Sequence, residues 1–158
     1  MEPELHTEFL LDLVVDIKPP VSTGAGPLGN RLIFDATGGS FEGPKLKGEL
    51  LPSGGDWLLM RPDGVMELDV RCTLKTDDGA LIFAHYRGVL KAEPAILARF
   101  AGDDPPGPDE FYFRTTPRFE TGDERYAWLN SVVCVGIGRP AHIPNKPNQA
   151  TYRVFQIL

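Results

Sequence analysis

The residues of this sequence best suited to chemistry are aromatic and ionisable side chains that interrupt apolar, strand-like runs. They are Asp56, Trp57, Arg61, Asp69, Arg71, Tyr86, Arg114, Glu120, Trp128 and Asn130. Aromatic walls with a few convergent polar groups orient a small ligand, and an ionisable group among them can transfer a proton. The set therefore predicts ligand-binding residues of a small-molecule site. It assigns no catalytic residue.

Arg114 is the strongest of these candidates. It follows the aromatic run at residues 111–113 on a strand that is expected to pack inside the protein. A buried guanidinium needs an anion, and its planar fork binds a carboxylate or phenolate through two hydrogen bonds. Two kinds of partner remain open, namely an anionic group of a ligand, or a structural ion pair with Glu120 or Asp69.

Three other candidates also have two interpretations. Asp69 and Arg71 lie on one face of a predicted strand, where the arginine could hold the carboxylate ready as a general base. The solvated outer face of an antiparallel strand is the favoured alternative. Trp128, with Tyr126, could belong to a lid over a ligand, but packing against the core is favoured for both.

Several classes of site are disfavoured by spacing. The histidines His6, His85 and His142 lie far apart, without H-x-H or H-x-x-x-H spacing, so a metal site would need long-range assembly. No G-x-S-x-G elbow occurs, and Cys72 and Cys134 do not form a C-x-x-C pair. We therefore expect neither nucleophilic hydrolysis nor a metal or cofactor.

Residues 24–29 form a literal G-x-G-x-x-G after a predicted strand. In a dinucleotide site, the last glycines of this motif open a helix whose amino terminus holds the pyrophosphate. Here Pro27 breaks that geometry, and residues 30–35 are typical of a strand rather than a helix. The motif is therefore interpreted as a mobile loop.

The composition is that of a globular domain. The chain has 158 residues, of which 42% are hydrophobic and 24% charged, enough for one domain with a real core. A net charge of -6 without a basic cluster disfavours a nucleic-acid partner. No apolar run is long enough for a membrane span, and the acidic start, Met1 to Glu4, is unlike a secretory signal. We therefore expect a cytoplasmic protein with two buried, reduced cysteines.

Turn residues divide the chain into short apolar runs. Segments 52–55, 62–64 and 76–79 carry proline, aspartate and glycine in turn-like order, so the runs between Gly48 and Gly88 should form an antiparallel meander. Nine runs are typical of strands, at residues 8–17, 30–35, 45–51, 56–61, 66–74, 81–90, 111–116, 131–137 and 150–158. Short helices are expected at residues 93–100 and 123–130. The fold prediction is all-β, a single antiparallel β-barrel of about eight or nine strands over residues 1–158.

A family resemblance rests on motifs that occur in order along the chain. They are Gly38-Gly39-x-Phe41-x-Gly43-Pro44, Gly54-Gly55-Asp56-Trp57, Arg61-x-Asp63-Gly64, Asp78-Gly79-Ala80, Tyr86-x-Gly88 and Tyr126-x-Trp128-Leu129-Asn130. From about Arg31 onward the sequence resembles the domain-of-unknown-function 3237 family. The resemblance implies a calycin-like (lipocalin) or allene-oxide-cyclase-like barrel and no settled activity.

Three classes of function follow from these observations. The first is binding of a small, largely apolar metabolite, aromatic or carboxylated, in the barrel interior. The alternative is a cofactor-free isomerase or cyclase that acts on such a metabolite by acid/base catalysis. A structural subunit of a homo-oligomer is the third, and the sequence leaves oligomerisation open. The identity of the ligand does not follow from the sequence.

Overall fold

The computed structural model of the protein describes residues 1–100, 102–140 and 148–158. Nine strands and two short helices account for most of them. The strands are β1 (Thr7–Ile17), β2 (Val21–Gly26), β3 (Gly29–Glu42), β4 (Lys47–Met60), β5 (Met66–Thr76), β6 (Leu81–Lys91), β7 (Tyr112–Glu120), β8 (Cys134–Pro140) and β9 (Gln149–Ile157). A single helical turn, α1, covers Pro94–Leu97, and a 3₁₀ helix covers Glu124–Ser131.

The sheet closes on itself. Its order is β1-β9-β8-β7-β6-β5-β4-β3-β2, and a further antiparallel pairing joins β1 to β3. Asp12 on β1 is paired with Glu42 on β3 and with Arg153 on β9. Eight strands therefore form a closed antiparallel barrel, and β2 is an extra strand that pairs with the first half of β3. The predicted all-β barrel is confirmed.

Alternation along the strands builds the core. On β5, Met66 and every second residue after it are buried, whereas the residues between them are partly or fully exposed. Because successive side chains of a strand point to opposite faces, the buried set fills the barrel interior. Leu11, Leu74 and Ile82 are completely buried in this core. Cys72 and Cys134 are also buried and are not linked by a disulfide.

The turns on either side of β5 form as predicted. The Gly64 amide donates to the Arg61 carbonyl, and the Gly79 amide donates to the Thr76 carbonyl, at 3.0 and 2.9 Å. Thr76 reinforces the second turn because its hydroxyl accepts from the Ala80 amide at 2.8 Å. Strands β4, β5 and β6 are consequently consecutive antiparallel neighbours.

Segment 52–55 is not a turn, contrary to the prediction. The runs 45–51 and 56–61 belong to one long strand, β4, whose register against β5 shifts between Leu50 and Gly54. Gly54 has φ of +91°, so the turn-type residues here produce a bulge. A bulge bends a strand without ending it, which helps the sheet to curl into a barrel.

The connector at residues 21–29 is likewise not the predicted loop. Residues 21–26 form β2, and Gly26 is paired with Gly29 across a tight hairpin that leads into β3. No helix follows the G-x-G-x-x-G segment, since residues 29–42 are strand. The two short helices agree in position with the prediction. In the described part of the chain, no helix has both the length and the apolar character needed to span a membrane.

Candidate functional site

The barrel encloses a cavity of about 470 Å³. Its walls are mainly apolar and include Phe34, Leu58, Val70, Leu90 and Phe113. Arg139 and Asn148, which are both exposed, also line it. Ligand pockets in proteins usually measure about 300–1,000 Å³ and have such walls, so this cavity has the size for one small molecule.

Asp56 places a carboxyl group on the wall of this cavity. It lies on β4 next to the bulge and is paired with Phe34 on β3 and Val70 on β5. The part of the Asp56 side chain that is still accessible faces this cavity. Its Oδ1 atom accepts a hydrogen bond of 3.0 Å from the Asp69 amide. Burial raises the pKa of the Asp56 carboxyl to about 7, the Asp69 hydrogen bond opposes this rise, and the charge of Asp69 adds to it.

Two tyrosines line the same cavity. The rings of Tyr86 on β6 and Tyr152 on β9 meet edge to face, with centroids 4.9 Å apart. The Tyr86 hydroxyl is buried, and apart from the neighbouring Tyr152 hydroxyl it has no hydrogen-bond partner among the described residues. Burial raises the pKa of both phenols, well above the ordinary value for Tyr86. Both are therefore neutral hydrogen-bond donors at physiological pH.

These three groups define what the interior can do chemically. A carboxyl whose pKa lies near 7 can give or take a proton at neutral pH, which is the property that a general acid or base requires. Neutral phenols within an apolar wall can donate hydrogen bonds to a ligand oxygen. Asp56 and Tyr86 were among the sequence candidates, and the structure brings them to one cavity.

Tyr152 was missed by the sequence reasoning. On β9, Tyr152 and Val154 are buried, whereas Arg153 between them is exposed. That alternation was a usable signal, because a tyrosine in register with buried aliphatic residues faces the interior. The residue was overlooked because it lies outside the family-like motifs that drew attention to the other aromatic residues.

Most of the other candidates lie on the outer face of the barrel. Trp57, on β4, is partly exposed and lies under the Arg71 guanidinium, 5.7 Å from its ring centroid. The Asp69 side chain contacts His85, with Oδ1 and Nε2 3.0 Å apart, and two arginines lie about 4 Å away. Arg61 pairs with Asp63 and Glu67 next to the β4–β5 turn. Asp69 and Arg71 therefore lie on the outer face of the barrel, the position that the favoured alternative predicted for them.

Arg114 is also on the outside, and the expectation that it packs inside is wrong. On β7, Phe113 and Thr115 are buried while Tyr112 and Arg114 are exposed. The guanidinium lies 5.1 Å from the Tyr112 ring centroid, and Nη1 donates to the Phe113 carbonyl at 2.9 Å. Since no buried charge needs an anion here, neither a ligand carboxylate nor a pairing with Glu120 is required by its position.

The remaining three candidates lie at one end of the barrel. Asn130 has a structural role, because its amide group exchanges two hydrogen bonds with the Thr121 backbone, at 2.8 and 2.9 Å. Glu120 is exposed at the end of β7. Trp128 is half-buried against the core, with Lys45 Nζ 5.2 Å from its ring centroid. None of the three lines the interior cavity.

An open groove of about 920 Å³ on the outer face is larger than the interior cavity. It is lined by Trp57, Asp69, Val89, Arg114 and residues around them. Its carboxylates contact neighbouring cationic side chains, as Asp69 does with His85. In the interior, by contrast, Asp56 has no cationic partner among the described residues, and burial raises its pKa. Among the described residues no group of three metal-ligating side chains exists, and His142 lies outside them.

The fold and cavity together define a closed antiparallel barrel protein with a ligand-sized interior. The chain matches the family described as "Protein of unknown function (DUF3237)" over residues 5–157 and belongs to that family, as the motifs indicated. It is 34% identical over 136 residues to the UPF0311 protein RPA1785 of Rhodopseudomonas palustris, which covers 86% of this chain and 89% of the relative. A UPF0311 protein of Clostridium acetobutylicum is 29% identical over 133 residues, 84% of each chain.

Solved structures show the same barrel. The crystal structure of RPA1785, a conserved protein of unknown function, has a TM-score of 0.88 at 30% identity and covers 99% of this chain and 100% of its own. A beta-barrel-like protein of Acinetobacter baumannii AYE has a TM-score of 0.83 at 32% identity, covering 100% and 99%. An enzyme from Penicillium herquei has a TM-score of 0.72 at 22% identity, covering 100% and 98%, and therefore shares the fold.

Proposed function

We propose that the protein binds one small, largely apolar metabolite inside the barrel. The observation that carries this proposal is the cavity of about 470 Å³, with apolar and aromatic walls and a few polar groups. Burial of an apolar ligand there removes nonpolar surface from water, which favours binding by about 25 cal/mol per Å² before the costs of association. The interior is preferred over the outer groove because its walls are mainly apolar and because burial raises the pKa of the Asp56 carboxyl on its wall.

The test uses a matched pair of valine substitutions and a neutral apolar fluorophore, N-phenylnaphthylamine. Val70 is buried on the cavity wall, and Val89 is exposed on the outer face of the adjacent strand. Val70→Phe fills cavity volume and should weaken fluorophore binding at least tenfold, a loss of about 1.4 kcal/mol. Val89→Phe adds the same atoms to the outer groove and should leave binding unchanged. Fluorescence titration of the two variants and the wild type measures both effects.

The opposite pattern would contradict the proposal. If Val89→Phe weakens binding and Val70→Phe does not, the fluorophore occupies the outer groove and the interior is not the binding site. Native mass spectrometry of the purified protein supplies an independent readout, because a ligand retained from the cell adds a discrete mass. Val70→Phe should lose that mass while Val89→Phe keeps it.

The second candidate function is a cofactor-free isomerase or cyclase that acts on such a metabolite. Asp56 favours it specifically, because a carboxyl whose pKa lies near 7 suits general acid/base catalysis at neutral pH. A barrel of this fold hosts an enzyme in Penicillium herquei, although at 22% identity that likeness concerns the fold alone. A cytoplasmic location, inferred from the sequence, stays a prediction.

A further inference from the structure

We propose that the occupant of the cavity is a small apolar amine whose protonated nitrogen pairs with the Asp56 carboxylate. This inference rests on the proposed function, since it names the chemical class of the ligand for the same cavity. It follows from the strand register that places Asp56 inside the barrel, from the unpartnered oxygen of its carboxylate, and from the charges and rings around it.

Strand register places the Asp56 side chain inside the barrel. Asp56 on β4 lies opposite Phe34 on β3 and Val70 on β5, and Val70 lies opposite Tyr86 on β6. Directly opposed residues of antiparallel strands have their side chains on the same face of the sheet. Val70 and Tyr86 are buried in the core, so Asp56 faces the interior with them. Because Asp56 is only partly buried and lines the cavity, a ligand there can contact its carboxylate.

One carboxylate oxygen of Asp56 has no hydrogen-bond partner among the described residues. Oδ1 accepts from the Asp69 amide at 3.0 Å, whereas Oδ2 accepts from none of them. Arg139 is the one arginine or lysine among the described lining residues, and it is paired with Asp12, with Nη2 and Oδ1 3.1 Å apart. An ionised carboxylate only accepts hydrogen bonds, so the occupant is expected to supply a donor at this point.

Two further polar atoms of the cavity lining are too deeply buried to contact a ligand. They are the Tyr86 hydroxyl, which lies next to the Tyr152 hydroxyl, and Gln149 Oε1, which has no partner among the described residues. The other end of the Gln149 amide is engaged, since Nε2 donates to Asp16 Oδ1 at 2.6 Å. The Tyr152 phenol is neutral and can donate or accept, so it opposes neither charge. Asp56 therefore decides which charge the cavity accepts.

A protonated amine suits Asp56 better than the other classes of ligand. An ammonium group attracts the carboxylate more strongly in an apolar site than in water. The rings of Phe34, Tyr86, Phe113 and Tyr152 line the same cavity, and the faces of aromatic rings attract cations. A ligand carboxylate would instead be desolvated beside a like charge. A neutral hydroxyl would donate to the oxygen but would leave its charge without a counterion.

The experiment uses four probes on one skeleton: naphthylethylamine, naphthylethanol, ethylnaphthalene and naphthylacetic acid. At pH 8 we expect the amine to bind the wild-type protein at least tenfold more tightly than ethylnaphthalene, the effect of one charged hydrogen bond. Asp56→Asn removes the charge, so the advantage of the amine should fall to about twofold or less while ethylnaphthalene binding is unchanged. The matched control is Asp35→Asn, on the exposed face of β3, which changes the net charge equally and should keep the full advantage. Equilibrium dialysis with fluorescence detection gives the affinities.

Titrations of the wild type at pH 6 and pH 8 supply a second readout. With its pKa at about 7, the Asp56 carboxyl is largely protonated at pH 6 and largely ionised at pH 8, whereas the amine keeps its proton at both. The amine should therefore bind about tenfold more tightly at pH 8, and ethylnaphthalene equally at both. The other titratable groups around Asp56 are Asp69 with its partner His85, and the phenols of Tyr86 and Tyr152, which stay neutral. Asp56→Asn keeps all four and should make amine binding independent of pH.

Each other outcome is decisive. If ethylnaphthalene binds and the amine gains nothing, or if its gain survives Asp56→Asn, the amine inference is overturned and apolar binding stands. Equal binding of naphthylethanol, or tightest binding of naphthylacetic acid, would also overturn it. If none of the four probes binds, the proposed function fails together with the inference. The pH comparison uses the wild type, so it decides the matter even if a variant alters the cavity.

Discussion

Asp56→Asn is expected to make the protein more stable at pH 8 and to leave its stability nearly unchanged near pH 4. The folded-state pKa of Asp56 is about 7, whereas an unfolded aspartate has its ordinary value near 3.9. Between these two values the folded state binds the proton more tightly, so the wild type loses stability as the pH rises from about 4 to about 7. Above that window the full penalty of the buried carboxylate is present.

The substitution removes this penalty while keeping the local contacts. Asparagine retains an oxygen that can accept from the Asp69 amide, as Asp56 Oδ1 does at 3.0 Å. A shift of one pKa unit corresponds to about 1.4 kcal/mol, which sets an upper limit of about 4 kcal/mol here. Because solvent reaches the cavity, we expect a gain of roughly 1–3 kcal/mol at pH 8. Urea denaturation at a series of pH values measures the difference.

Asp12→Asn is the control with the opposite sign. The Asp12 carboxylate accepts hydrogen bonds from Arg153, and this interaction lowers its pKa below the ordinary value. A lowered pKa contributes stability that is present at neutral pH and is lost on acidification. Asp12→Asn should therefore be less stable than the wild type at pH 8, and the difference should shrink toward pH 3. Parallel profiles for the two variants would show that Asp56 is not held in its uncharged form.

Asp56→Asn also separates the two candidate functions. If the protein is an isomerase or cyclase, the variant should convert its ligand at least 100-fold more slowly, since general acid/base groups typically contribute factors of 10²–10⁴. A gain in stability together with a loss of turnover is the usual signature of a functional residue held in an unfavourable environment. A retained ligand that neither protein converts would favour the binding function.

Gly54→Ala is expected to lower the free energy of unfolding by about 3–5 kcal/mol or to prevent folding. A Cβ atom added at Gly54 would lie 2.0 Å from the Arg71 carbonyl oxygen, so two paired strands would have to separate. Gly54 also has φ of +91°, a conformation that alanine adopts only with strain. Strain of this kind and overpacking each contribute about 1–3 kcal/mol.

Gly79→Ala is an unusually close control. Gly79 has φ of +92°, nearly the value at Gly54, but an added Cβ would meet no atom within 4 Å. Its substitution should therefore lower the free energy of unfolding by about 1–2 kcal/mol, the backbone effect alone. The difference between the two variants in urea denaturation measures the close approach of β4 to β5. Equal losses would mean that the bulge relaxes without cost.

The bulge also explains where the sequence prediction of the fold went wrong. Proline, glycine and serine at positions 52–55 have the chemistry of a turn, but the same residue types serve a bulge inside a strand. Local propensity cannot distinguish the two, because the outcome depends on whether β3 and β5 continue alongside. Strand β5 could be predicted without knowledge of its neighbours. Its buried and exposed residues alternate, and this alternation is visible in the local sequence.

The site was harder to predict than the fold for a related reason. On β7, aromatic residues occupy both faces, so Arg114 could be assigned to either one, and the buried face is Phe113 and Thr115. The perturbation of Asp56 depends on burial from several strands and on the Asp69 amide, and neither is visible in the local sequence. Residue types indicated the kind of site. The faces of the strands decided which of the candidates belong to it.

Closure of the barrel between its first and last strands has a consequence for folding kinetics. Asp12 on β1 and Arg153 on β9 hydrogen-bond across 141 positions of sequence. Forming a contact between residues so far apart in sequence has a large entropic cost, because a long loop must close first. Proteins dominated by such contacts fold in milliseconds to seconds. During synthesis on the ribosome, β8 and β1 keep unpaired edges until β9 has emerged. Open strand edges promote aggregation, so the nascent chain is exposed to this hazard until its last strand pairs.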